Sequence, residues 1–162
     1  EIEVDVIVFA TGFRATEFFW PMDVRGRGNR SVEELWSEDG PRAYRGVMMP
    51  GFPNFFVIYG PNTNVYNGMQ LVQIEELVTR FSLDRIKELL LTGKRSVEVT
   101  NEAYRQYNEL LDEWEDRKIY SDERAHNYFR GQFGRSPTNC GIPGGEMWRL
   151  LREPGEGDLI VE

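Results

Sequence analysis

Two short turns hold the residue types best suited to chemistry in this chain. Ala10-Thr11-Gly12-Phe13 and Tyr59-Gly60-Pro61-Asn62-Thr63-Asn64 each place a glycine where an apolar run stops. Without a Cβ, the main chain can come close to a flat or phosphorylated ligand and aim backbone N–H groups at it. A helix beginning near Met69 would turn its partly positive N-terminus toward the same ligand, which suits an electron-rich ring carrying developing negative charge. Glycines also simply end strands, and residue type alone does not separate the two uses.

The remaining reactive side chains offer less. His126 is the only histidine and has no Cys or His at ligand spacing, so neither a metal site nor a catalytic triad is read from it. Cys140, between Asn139 and Gly141, has no base near it in sequence and reads as a packed or surface thiol. No Gly-x-Gly-x-x-Gly turn opens a helix, so these residues carry no dinucleotide pyrophosphate site of that type. No catalytic residue is assigned.

The elements that must position the two turns follow from pattern. Residues 4–10 form a nearly continuous β-branched and aromatic run, as expected of a strand buried on both faces of a parallel sheet. Residues 54–59, bounded by Pro50-Gly51-Phe52-Pro53 and Gly60-Pro61-Asn62, predict a second such strand. Between them, residues 20–46 are rich in turn formers, with a short helix over Val32 to Trp36 capped by Ser31. Leu71, Ile74, Leu77, Val78, Phe81, Ile86, Leu89 and Leu90 predict one amphipathic helix over about 69–91, closed by Gly93. A strand is expected at Ser96 to Val99. Thr100 then caps a second helix with Tyr104, Tyr107, Leu111 and Trp114 on one face. From Ser121 periodicity is lost, which predicts an irregular tail packed through Tyr128, Phe129, Phe133, Ile142 and Trp148. Strand, loop and helix in this order describe an open α/β sheet, in which ligands sit beyond the carboxyl ends of the strands.

With 40% hydrophobic and 28% charged residues the chain has the composition of a soluble globular protein. Its formal net charge of -8 argues against nucleic-acid partners and anionic membranes, both of which need clustered positive charge. A single cysteine gives no internal disulfide, and no apolar stretch approaches the ~20 residues of a membrane-spanning helix, so a cytoplasmic location is expected. The sequence begins at Glu1, directly before an apolar run, and reads as the middle of a longer protein.

The run Asp5-Val6-Ile7-Val8-Phe9-Ala10-Thr11-Gly12-Phe13, with Pro50-Gly51-Phe52-Pro53-Asn54-Phe55-Phe56 and Tyr59-Gly60-Pro61-Asn62 about forty residues later, resembles the C-terminal part of flavin-containing and Baeyer–Villiger monooxygenases. The similarity is closest to the hydroxyacetophenone monooxygenase-like group. It covers most of the chain, with a looser match after residue 120. The resemblance implies the C-terminal portion of an FAD-binding doubly wound, Rossmann-like α/β domain over residues 1–120, with the irregular tail of residues 121–162 packed on it. Carried over by position, Thr11, Gly12, Gly60, Pro61, Asn62 and Thr63 lie on the cofactor side. Asn64, Val65, Tyr66, Asn67 and Met69 shape the substrate pocket. Here the chain departs from its relatives, in which a more glycine-rich loop is expected; Tyr66 and Met69 would narrow or reshape the pocket. Tyr128 falls where similar enzymes place an aromatic residue near the NADP ribose, and a core aromatic is its other reading.

The same resemblance implies a full-length parent that uses NADPH and FAD to insert one oxygen atom from O2 into a ketone or a soft nucleophile. The nucleotide fingerprints and the arginine that serves the oxygen chemistry would lie upstream, so the 162 residues are not expected to act alone. Partners implied are the missing N-terminal part of the same enzyme and a small organic substrate. Apolar faces left without that part favour self-association. An N-hydroxylating flavin monooxygenase and a cofactor-free interaction domain of the same fold are the alternatives.

Overall fold

The computed structural model describes residues 1–66, 68–122, 124 and 127–162. Local signals act where they were expected. Ser31 Oγ accepts the Glu34 N–H at 3.0 Å and the Glu34 carboxylate accepts the Ser31 N–H at 2.7 Å, a reciprocal cap that opens α1, Val32–Leu35. The long helix α2 spans Leu71–Thr92 and buries Ile74, Val78 and Phe81 at helical spacing. Gly93 ends it in the left-handed region with φ 68°, its N–H reaching the Leu89 carbonyl. Thr100 Oγ1 accepts the Ala103 N–H at 3.1 Å and starts α3, Asn101–Glu115. Tyr107 and Leu111 of α3 are buried, with Tyr104 and Trp114 packed against the same core.

Two of the expected strands are absent. Residues 4–10 pair with no strand and lie open, with Phe9 84% exposed. A strand apolar on both faces needs neighbours along its edges and above and below, and no described segment supplies them. Residues 54–59 are likewise turn and coil, because Asn54 and Tyr59 take φ of 59° and 56°, which an extended strand cannot accommodate. This segment is tied instead through Asn54, whose N–H donates to the Val97 carbonyl and whose Nδ2 donates to the Arg95 carbonyl, each at 2.9 Å, while its Oδ1 accepts the Val97 N–H at 3.0 Å, and through the Val57 N–H, which donates to the Val47 carbonyl at 2.9 Å.

In place of one open sheet, the described strands form two separate ladders. β1, Asn64–Val65, runs parallel to β3, Asn139–Cys140, with Asn64 opposite Asn139 and Val65 opposite Cys140. β2, Val97–Val99, pairs antiparallel with β4, Leu159–Val161. The tail is therefore more regular than its glycines and prolines suggested: besides β3 and β4 it contains α4, Gly144–Arg152, which buries Met147 and Leu151 four residues apart. Arg45, buried and at φ 54°, donates to the Leu150 and Glu153 carbonyls and so satisfies the end of α4. The main core gathers Tyr44, Met48, Ile74, Val78, Leu111 and Ile142, and a second one forms around Val32, Trp36, Met49 and Phe52. No described helix is long and apolar enough to cross a membrane.

Candidate functional site

The turn after Tyr59 is built into the protein rather than onto its surface. Gly60, Pro61, Asn62 and Thr63 are all buried. Thr63 Oγ1 donates to the Gly60 carbonyl at 2.7 Å. Asn62, at φ 55° and 1% exposed, donates through Nδ2 to the carbonyls of Ser136 at 2.8 Å and Asn139 at 2.7 Å, and its Oδ1 accepts from Arg135 at 3.2 Å. This side chain thus helps fasten the tail beside the turn, together with the backbone bonds from the Asn62 N–H to the Pro137 carbonyl at 2.9 Å and from the Asn64 N–H to the Thr138 carbonyl at 3.0 Å. Burial, with Arg42 nearby, lowers the Arg135 guanidinium to about 10, and carbonyls of residues 39, 41 and 136 share its N–H groups.

Thr11 and Gly12 take a different position. Both are exposed, and Gly12 at φ 82° faces the Tyr128 ring, whose hydroxyl donates to the Phe13 carbonyl at 3.0 Å. Tyr128 meets Phe129 edge-on at 5.4 Å, Phe129 meets Tyr66 at 6.1 Å, and Tyr66 meets Tyr120 at 6.2 Å. A run of four rings therefore joins the first turn, the expected NADP-side aromatic and the expected pocket loop. Tyr66 is half exposed; its hydroxyl donates to Asn139 Oδ1 at 2.8 Å and accepts from Asn64 Nδ2 at 2.7 Å. Burial raises its pKa, partly offset by those two amides. Val65 is buried in the main core, while Met69 lines a cleft of about 450 Å³ with Gln73, Arg80 and Trp148. A larger cleft of about 540 Å³ lies elsewhere, between Phe18, Trp36 and Phe133. Asn67 and His126 lie outside the described residues. Cys140 is buried, and its thiol is pushed up to about 12, which leaves it inert as a nucleophile.

No protein-family profile matches the sequence. Individual proteins do. The chain is 34% identical over 150 residues to a Baeyer-Villiger monooxygenase of Pseudomonas aeruginosa, covering 93% of this chain and 28% of that protein. It is 35% identical over 143 residues to an FAD-binding monooxygenase of Aspergillus niger, covering 86% of this chain and 23% of that protein. Among solved structures, a steroid monooxygenase bound to NADP matches with a TM-score of 0.70 at 26% identity, over 86% of this chain and 26% of that one. In sequence and in fold, the chain resembles a segment of the Baeyer–Villiger monooxygenases. OTEMO in complex with FAD and NADP covers 100% of this chain and 31% of its own, with a TM-score of 0.80 at 24% identity. The chain spans about a quarter of the length of the curated relatives it matches.

Three residues around the ring run went unread in the sequence: Asn139, Tyr120 and Glu115. Glu115 falls four residues after Leu111 on the apolar face of α3, and an acid on a core face is a signal that was available. It is 6% exposed, accepts from the Tyr120 hydroxyl at 3.1 Å and from the Gly141 amide, and burial pushes it up to about 7. The charged or titratable groups facing it include Arg135, Lys118, Tyr120, Cys140, Tyr107 and Tyr66. Because the folded chain holds this proton more tightly than the unfolded chain, the contribution is complete below the ordinary value of 4.5 and is lost as pH rises through about 7. Urea denaturation should therefore show wild-type stability falling across that window. Glu115→Gln should flatten the fall, and an unchanged pH slope in the variant would reject the assignment.

Proposed function

We propose that the chain is the C-terminal part of an NADPH- and FAD-dependent monooxygenase, of the hydroxyacetophenone monooxygenase-like kind, that inserts one oxygen atom from O2 into a ketone or a soft nucleophile. The observation that carries this reading is likeness along nearly the whole chain, to named monooxygenases at 34–35% identity and to a monooxygenase structure with FAD and NADP bound. The open apolar run of residues 4–10 and the exposed stripe Leu83, Ile86 and Leu90 on α2 support it, since both suit surfaces covered by further chain.

The residues fit a cofactor unevenly. Thr11 and Gly12 leave the backbone open beside Tyr128, as a flat ligand or a ribose requires. Asn62 and Thr63 spend their side chains inside the protein, so the second turn would offer shape rather than hydrogen bonds from those groups. FAD, when bound, would supply the oxygen chemistry. What these residues add is a backbone approach at Gly12, an aromatic face at Tyr128 and one wall of a substrate pocket at Tyr66 and Met69. Residues 1–120 would form the nucleotide-side unit and 121–162 its cover.

The test is the protein produced from the intact gene. A yellow product several times longer than 162 residues, bleached by NADPH in a ketone-dependent cycle with oxygen, is the expected result. A colourless protein with an N-terminus near Glu1 would overturn it in favour of a cofactor-free binding module.

A further inference from the structure

We propose that Asn139 is a positioning residue that sets substrate selectivity by holding the Tyr66 ring as a fixed wall. This deepens the functional reading above and rests on it. Asn139 is completely buried. Its backbone is fixed twice over: its N–H donates to Ser136 Oγ at 3.0 Å, and its carbonyl accepts from Asn62 Nδ2 at 2.7 Å. From that anchored position Oδ1 receives the Tyr66 hydroxyl at 2.8 Å, Asn64 Nδ2 at 3.2 Å and the Thr138 hydroxyl at 3.3 Å. Asn64 also donates to the Tyr66 hydroxyl, which closes a three-membered ring of hydrogen bonds across the β1–β3 ladder.

In this orientation of the amide Oδ1 faces its donors, with Asn64 as placed. Turning it over would set Asn139 Nδ2 against Asn64 Nδ2, two donors facing each other. Of the two amide atoms it is Oδ1 that reaches the Tyr66 hydroxyl.

Tyr66 itself is 49% exposed, so its ring contributes little to the core. Yet its hydroxyl is pinned at one end, and Tyr120 and Phe129 flank the ring at 6.2 and 6.1 Å. An exposed aromatic with its direction fixed in this way excludes volume rather than filling a core, as the pocket wall of the functional reading above requires. Resizing a hydrophobic pocket by a methylene or so changes discrimination by roughly 10–200-fold, so freeing a whole ring should be visible.

The experiment uses the full-length protein and two ketones, cyclohexanone and the bulkier 2-phenylcyclohexanone. Asn139→Ala and Tyr66→Phe should each raise the bulky-to-slim ratio of kcat/KM by about tenfold, through KM of the bulky ketone more than through kcat. The double variant should do no more than either single one, because both break the same bond. Asn139→Asp, which keeps the acceptor oxygens, should return the ratio toward wild type. Equal losses on both ketones, additive effects, or no rescue by Asp would overturn the proposal. A second readout needs no flavin: nitration of Tyr66 by tetranitromethane, mapped by mass spectrometry, should speed up several-fold in Asn139→Ala. If the protein proves colourless, the functional reading fails alone; unchanged nitration shows that Asn139 does not hold the ring, and sinks the positioning claim in either case.

Discussion

Asn62→Ala should cost roughly 2–4 kcal/mol of stability, read as a lowered urea midpoint at unchanged slope. The substitution removes two donors from buried carbonyls, at 2.8 and 2.7 Å, and the acceptor of a buried Arg135 N–H. It also leaves alanine at φ 55°, where asparagine is among the better tolerated side chains. The two contributions separate experimentally. Asn62→Gly relieves the backbone and still lacks the amide, so it should recover no more than about 1 kcal/mol of the loss. Asn62→Asp keeps an acceptor for Arg135 but offers no donor to Ser136 and Asn139. A loss under about 1 kcal/mol in the alanine variant would mean that the tail is held by other contacts and that Asn62 is free for a ligand.

That result bears on how much of the molecule was legible beforehand. Ser31, Gly93 and Thr100 announced their helix ends because a cap is a bargain between neighbours in sequence, and α2 and α3 followed from spacing alone. The runs at 4–10 and 54–59 carry strand composition, but a strand exists only against a partner. For the first no described segment provides one, and for the second the left-handed residues Asn54 and Tyr59 break the extension. Composition could not reveal either fact. The tail hid β3 and β4 because their partners, at Asn64–Val65 and Val97–Val99, lie sixty or more residues back in the chain, and it hid α4 because that helix packs against the distant α2.

The candidate site divides along the same line. Gly12, Tyr66 and Tyr128, which come from three distant segments, do meet through one run of rings, and Asn64 bonds the Tyr66 hydroxyl at its edge, while Met69 lines a separate cleft. What sequence could not show is which side chains face inward. Asn62 and Thr63 are consumed by the fold, while Asn139, Tyr120 and Glu115, unremarked in an aperiodic stretch and at the end of α3, hold the rings in place.

Gly60 is where the two uses of a glycine turn come apart. A Cβ added there would stand 2.3 Å from the Gly46 carbonyl oxygen and 2.9 Å from Val57 Cγ1. Gly46, itself at φ 74°, is crowded by the same turn: a Cβ there would stand 2.1 Å from Thr63 Cγ2 and 3.1 Å from the Pro61 carbonyl oxygen. Two backbones have been brought glycine to glycine, and backbone cannot swing aside as a long side chain can. Gly60→Ala is therefore expected to lose about 3 kcal/mol and much of its soluble yield. Gly145→Ala serves as the control: it has nothing within 4 Å and lies inside α4, where alanine should be neutral or stabilising by up to ~1 kcal/mol. Made in the full-length protein, the pair also settles why this glycine is needed. Loss of folding in Gly60→Ala assigns it to packing of the turn against residues 44–48, whereas a protein of normal urea midpoint that no longer retains flavin would assign it to close approach of a ligand and would sink the packing argument.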